Sequence, residues 1–307
     1  MMRNPILAWA SRDEVKQAAL TIPAARELVS DYVAGERWGD LSPVLSDLEA
    51  KGLAVSVEYL GARGGPADAV RTLAHYLELV DRLAASGHVG AELSIRLNGL
   101  GLDPGKSNVD AVAESTLRIV RAAVNAGLFP ILDMSGACEV PHTLAVWSGI
   151  RQDFPEFGIT MQANLHRTRR DIEQVALPGA RVRLCKGSHL ESRQVAFRSQ
   201  HEIDLAFVRS LRVLMQSEAT LIVATHDPRM IEITEALVSR NGRAKQKLEF
   251  QMLQGVRPLE LRRLADIGYL ARCYVPYGPG WYEYYLRRLA ERPANAALFA
   301  RSVVRKK

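Results

Sequence analysis

Two apolar patterns alternate along the chain: short runs rich in Val, Ile and Leu, and longer stretches with an apolar position every three or four residues. The short runs are "LAVSVEYLG" (53–61), "ELSIRLN" (92–98), "LFPILDM" (128–134), "GITMQA" (158–163), "RVRLCKG" (181–187), "TLIVAT" (220–225), "LEFQML" (248–253) and "ARCYVPY" (271–277). They read as mostly apolar on both faces, as strands of a covered parallel sheet are. Helical spacing occupies 66–86, 108–127, 201–217 and 228–242. Gly87 and Gly127 stand where helices stop, Asn108 stands as a cap, and Pro228 takes a first helical position. Eight strand–helix units within about 250 residues match the size of a (β/α)8 barrel. An open doubly wound sheet would want a glycine-rich first turn, and "GARGGP" (61–66) lacks the G-x-G-x-x-G register. The expected fold is therefore α/β: a TIM-like (β/α)8 barrel over 51–307. A helical segment, residues 1–50, packs on its exterior, and a last helix lies over the barrel mouth.

Barrel chemistry sits at the carboxyl ends of the strands. Those ends carry Glu58, Arg96, Asp133, Gln162, Arg183, Lys186, Thr225, His226, Asp227, Gln251 and Tyr274. A polar group buried without a partner costs a few kcal/mol, so something must satisfy this ring. Singly, Glu58 and Arg183 also fit paired core ions, and His226 also fits a hydrogen-bonded core histidine. Together they suit a large polar ligand with carbonyls, hydroxyls or phosphates. The last helix, within "YVPYGPGWYEYYLRRLAERPAN" (274–295), sets Arg287 beside Arg288. The two lie about 100° apart around the axis, and Glu291 follows at spacings that pair with either. In so aromatic a helix, twin guanidiniums suit bidentate capture of a small carboxylate, with Glu291 aiming the forks.

Composition narrows the partners. The chain has 307 residues, 48% hydrophobic and 24% charged, as a globular protein with a sizeable core has. No apolar run reaches the roughly 20 residues of a bilayer span, and the N-terminus makes a poor signal peptide, so a cytoplasmic protein is expected. A net charge of +6 permits weak contact with an anionic membrane surface. The densest basic cluster is only "HRTRR" (166–170), without a nucleic-acid-binding motif, so no nucleic-acid partner is expected. Cys138, Cys185 and Cys273 show no C-x-x-C spacing and read as reduced thiols, those in apolar runs being buried. The histidines lack metal-ligand spacing, so no metal is expected.

Six ordered blocks then carry a resemblance. "RCYVPYGPGWYEYYLRRLAERPAN" resembles the C-terminal signature of flavin-dependent proline dehydrogenases, with its Tyr-x-Pro, its Arg-Arg pair and the Glu three residues on. "ILDM", "GITMQANLHRT", "RVRLCKGSHLE", "VATHD" and "EFQMLQGV" are similar to further blocks of that family, in the same order. The resemblance implies a distorted barrel binding FAD and oxidation of L-proline to 1-pyrroline-5-carboxylate, with a quinone taking the electrons. It implies that Arg287 and Arg288 bind the substrate carboxylate, supported by Glu291 and Tyr274. Asp133 and Arg96 would stand on the substrate side and Leu253 on the flavin ring. Gln162, Arg183, Lys186, Gly187, His189, Thr225, His226 and Gln251 would contact FAD. Three positions depart from the family pattern: Arg96 stands for a usual Lys, His189 for a usual Tyr, and Asn164 for a common aromatic. They make another secondary-amine amino acid the alternative substrate. Two further readings are a Schiff-base aldolase, with Lys186 as nucleophile and Asp133 as proton shuttle, and a catalytically silent barrel that binds an anionic metabolite.

Overall fold

The structure, a computed structural model, describes residues 30–61, 65–106, 108–189 and 191–291, the side chains of 287–291 excepted. Eight parallel strands close into a barrel in chain order: β1 (Ala54–Tyr59), β2 (Glu92–Ile95), β3 (Phe129–Leu132), β4 (Gly158–Gln162), β5 (Arg181–Cys185), β6 (Thr220–Ala224), β7 (Leu248–Leu253) and β8 (Leu270–Tyr277). Each lies within a residue of its predicted run, although several runs extend past the strand into the loop above it. Closure comes from β1 pairing with β8, Ser56 opposite Tyr274 and Glu58 opposite Pro276.

Among the described residues one helix precedes the barrel, α1 (Trp38–Ala50), and the next six fill the gaps from β1 to β7: α2 (Pro66–Ala85), α3 (Val109–Asn125), α4 (Val140–Arg151), α5 (Thr168–Val175), α6 (Gln200–Gln216) and α7 (Pro228–Asn241). α8 (Pro258–Asp266) joins β7 to β8, and α9 (Trp281–Glu291) follows β8. Gly87 and Gly127 take positive φ (77° and 72°) just beyond α2 and α3, as placed from sequence. Asn108 does precede α3 but makes no cap hydrogen bond; its side chain donates to the Gly101 carbonyl at 2.6 Å instead. Ser199 caps α6 reciprocally with Glu202, and Asp227 caps α7 by accepting the Arg229 N–H at 2.9 Å. Of the expected N-terminal segment, the part before residue 30 lies outside the described residues.

Apart from β3 and β6, the strands are not apolar on both faces. Their outward residues are, among them Val55, Val57, Leu93, Ile159, Val182, Leu184, Leu221, Val223 and Phe250, all buried in one core shared with the helices. Burying each such side chain contributes ~1.5–3 kcal/mol. On most strands the alternate positions face the lumen and are polar: Ser56 and Glu58, Glu92 and Ser94, Arg181 and Arg183, Glu249 and Gln251, Arg272 and Tyr274; β3 and β6 place Ile131 and Ile222 there. Period-two alternation thus separates a greasy wall from a charged interior.

The base of α9 is pinned by two segments, residues 34–36 and the turn at Leu60. The Ala34 N–H donates to the Pro276 carbonyl and the Gly278 N–H to that of Gly35, at 3.0 and 2.9 Å. The Trp281 indole N–H donates to Glu36 at 2.7 Å, and the Gly280 N–H to the Leu60 carbonyl at 2.8 Å. Gly278 has φ 121°, and a Cβ there would lie 2.8 Å from the Leu60 carbonyl oxygen. Gly278→Ala is therefore expected to destabilise the fold by ~1–3 kcal/mol, through strain and collision. Gly149→Ala, on the open face of α4 with nothing within 4 Å, should instead stabilise it by up to about 1 kcal/mol. Urea denaturation midpoints of the two variants check both signs.

Candidate active site

A cavity of about 540 Å³ opens at the carboxyl ends of the strands. Of the residues picked out from sequence, Arg96, Asp133, Leu253 and Tyr274 line it on one side of the assignment. Gln162, Arg183, Lys186, Gly187, His189, Thr225, His226 and Gln251 line it on the other. Arg287, Arg288 and Glu291 are carried by α9, but their side chains lie outside the described ones. Tyr284 of the same helix does reach the cavity wall. Asn164 is not a wall residue: it sits behind Gly187, where its amide oxygen occupies the space a Cβ would need. With φ 92°, Gly187 is held to glycine twice over, by backbone conformation and by that amide.

Beneath the cavity the inward residues form a chain of alternating charge. The Arg96 Nε donates to Glu58, and an Arg96 amino group stands 3.7 Å from Asp133. Asp133 accepts from Arg183 Nη1 at 2.5 Å, and Arg183 Nη2 donates to Glu92. Glu92 pairs with Arg181 at 3.4 Å, Arg181 with Glu249 at 3.1 Å, and Glu249 with Arg272 at 2.6 Å. Arg272 ends the chain by donating to the Val55 and Gly90 carbonyls at 2.8 and 3.0 Å. Glu58 and Arg183 are thus core ions and wall residues at once, which joins two readings that the sequence left apart. Glu92, Glu249, Arg181 and Arg272 were not singled out from sequence. Their signal was there, as charges at alternate positions of apolar strands.

This lattice sets the protonation of the wall. Burial alone would raise Asp133, but the guanidiniums of Arg183 and Arg96, with hydrogen bonds from Tyr274 and Thr160, hold its carboxyl below the usual range. The Tyr274 phenol is pushed well up by burial and by the neighbouring carboxylates, so it stays a donor, reaching Asp133 at 2.6 Å. The His226 Nε2 accepts the Leu253 N–H at 2.9 Å, which leaves the ring hydrogen on Nδ1. Cys185 is half-buried against the cavity, not fully buried as expected, and burial lifts its thiol to about 11, too high for a nucleophile at neutral pH. Cys138 is exposed, and Cys273 is buried as read.

Lys186 donates to Asp204 at 2.5 Å and to Asp227 at 2.6 Å. Both contacts engage its Nζ, the atom that would have to attack a carbonyl in an aldolase. The aldolase reading thus finds its nucleophile already engaged by two carboxylates.

A family model described as "Proline dehydrogenase" matches residues 42–301. The chain belongs to the proline dehydrogenase family. Proline dehydrogenase 2 of Bacillus subtilis (strain 168) is 31% identical over 92% of this chain and 92% of its own length. Proline dehydrogenase 1 of Bacillus subtilis subsp. natto is 32% identical over 90% of each. Proline dehydrogenase of Deinococcus radiodurans is 30% identical over 99% of this chain and 98% of its own. The chain is thus an oxidoreductase of this family. Proline utilization A of Bdellovibrio bacteriovorus superposes with a TM-score of 0.83 at 19% identity, over 99% of this chain and 40% of that longer one. That likeness is one of fold, and it falls on the same barrel. No helix among the described residues is long and apolar enough to cross a membrane.

Asp133 and Glu92 have folded-state carboxyls held below their ordinary values. Their contribution to stability is therefore complete above the unfolded values of about 4 and is lost as pH falls from there through the depressed folded ones. Denaturant titrations should show stability dropping steeply below about pH 4. Asp133→Asn should be less stable at pH 7 and should lose less on acidification.

Proposed function

We propose that the chain is an FAD-dependent dehydrogenase that oxidises L-proline to 1-pyrroline-5-carboxylate. The observation that carries the reading is a cavity whose buried wall holds polar atoms with no partner among the described residues: the Nε of Arg183, Oε1 of Gln251 and Oε2 of Glu58. Burying such atoms unpaired costs ~1–3 kcal/mol each, and a ligand with matching donors and acceptors removes that cost. The polar edge of a flavin ring offers both kinds of group, so the residues fit the cofactor. Arg183, Gln162, Lys186, Gly187, His189, Thr225, His226 and Gln251 would hold it, with Leu253 against the ring. Flavin bound there would supply the two-electron acceptor that turns the substrate amine into an imine and passes the electrons to a quinone.

The protein's part is orientation and charge. Tyr284 reaches the cavity wall, and positions 287 and 288 follow it at the three- and four-residue spacings that share a helix face, which supports the reading. Their guanidiniums would take the substrate carboxylate, with Arg96 beside them and Glu291 as support. Asp133, fixed by Tyr274, Thr160 and Arg183, would form a rigid wall against the substrate ring. The neutral amine is the reactive form, because a protonated nitrogen has no lone pair to develop the imine. Arg96 and His189 in the wall favour a related secondary-amine amino acid as the second reading. Weak contact with an anionic membrane surface would bring the protein to a lipid-borne quinone.

Purified protein is expected to be yellow, and proline is expected to bleach it anaerobically faster than pipecolate or hydroxyproline does. Colourless protein that takes up no FAD would overturn the reading, and faster bleaching by another amino acid would select the second substrate. N-propargylglycine, which inactivates the Bdellovibrio protein, should inactivate this one with loss of the flavin band. Arg288→Met should raise KM for proline by about 100-fold, ~3 kcal/mol of charge-assisted binding, with flavin content unchanged.

A further inference from the structure

Arg183 has more donors than the cavity can use, and its neighbours decide which one is offered. Nη1 is taken by Asp133 at 2.5 Å, with Ser94 and Thr160 at 3.2 and 3.4 Å. Nη2 is taken by Glu92, with Ser56 at 3.4 Å. Only Nε, itself buried, has no partner among the described residues. The Tyr274 ring lies 5.2 Å from the guanidinium carbon and limits how the plane can turn. Two carboxylates, one on β2 and one just past the end of β3, therefore fix the fork at both tips and leave a single N–H for a ligand.

Glu92 is the deeper of the two. It is fully buried, 0% exposed, and does not line the cavity. Its Oε1 also accepts from Ser56 Oγ at 2.8 Å and Gln251 Nε2 at 3.0 Å, and Arg181 approaches its Oε2 at 3.4 Å. Glu92 cannot turn to follow Arg183 without breaking those contacts, so the constraint runs from Glu92 to the guanidinium.

We propose that Glu92 is a positioning residue for the oxidation: it locks Arg183 so that Nε–H is the donor presented to the flavin ring. This rests on the FAD-dependent reading above. A fixed donor at the ring matters most when the ring gains electrons, because preorganised donors stabilise charge as it develops. Glu92 would thus act on the redox step and leave the capture of the substrate carboxylate alone.

Glu92→Asp tests this, since it keeps the charge and withdraws the carboxylate by one methylene. The variant, loaded with FAD, is expected to show kcat for proline reduced about tenfold, or ~1.4 kcal/mol, with KM within twofold. Its flavin midpoint potential should shift to more negative values, because the reduced ring loses an aimed donor. Wild-type kcat and potential in the folded variant would overturn the proposal, as would a rise in KM matching the fall in kcat. If Glu92→Asp does not fold, Ser56→Ala removes one of the contacts that hold Glu92 and should give the same split, smaller in size; wild-type behaviour there would equally overturn it. Wild-type protein that binds no flavin would refute the functional reading itself. A flavin-loaded, proline-oxidising wild type beside an unaltered Glu92→Asp would refute the positioning role alone.

Discussion

Eight charges of alternating sign run through the interior of the barrel, from Glu58 at the cavity to Arg272 near its base. Barrels of this class commonly fill that space with layers of branched apolar side chains. Taking one ion out of water costs several kcal/mol, and a buried pair recovers that only with good geometry and further hydrogen bonds. The alternation answers this requirement for each interior member, because a charge with an opposite neighbour on either side is never left alone. Four acids and four arginines leave the chain formally neutral. Its stiffness follows from mutual constraint, since no member can move without stranding the next.

That stiffness suits the floor of a site. The upper members, Glu58, Arg96, Asp133 and Arg183, are also cavity wall, so the surface offered to a ligand inherits the order of the interior. The opposite side of the cavity is built differently. There α9 comes off a Gly-Pro-Gly turn whose glycines lie against the Leu60 and Gly61 backbone, and residues 34–36 hold its base. A rigid electrostatic floor and a separately anchored helix fit the division of work in the proposed chemistry, in which one side would set the electronics of the ring and the other would capture the acid.

Much of this was legible one residue at a time. The strands were visible because short apolar runs alternate with glycine- and proline-marked helices, and the polar strand ends from Arg96 to Tyr274 did converge on one cavity. α4, α5 and α8 were not singled out. α4 buries one face, Val140, Thr143, Val146, Trp147 and Ile150, but Leu144 and Ala145 off that face blur its apolar spacing, and α5 and α8 span only 8 and 9 residues, too short to show a periodicity. The inner strand faces were misread because each run was taken for its apolar content as a whole, which hides the polar residues at alternate places. Asn164 was read as a departure bearing on the substrate because an aromatic is common at its place in the family pattern, whereas the turn after β4 sends it behind Gly187.

By itself the sequence determined the alternation of strand and helix, the ring of polar strand ends and membership of the proline dehydrogenase family. These depend on local propensity and on motifs written contiguously. Tertiary structure alone decided which charges meet. Arg183 and Glu92 are 91 residues apart, Arg181 and Glu249 are 68 apart, and no local rule joins them. Only closure of the barrel, with β1 laid against β8, brings the inner faces of distant strands within hydrogen-bond reach and turns scattered acids and arginines into one lattice.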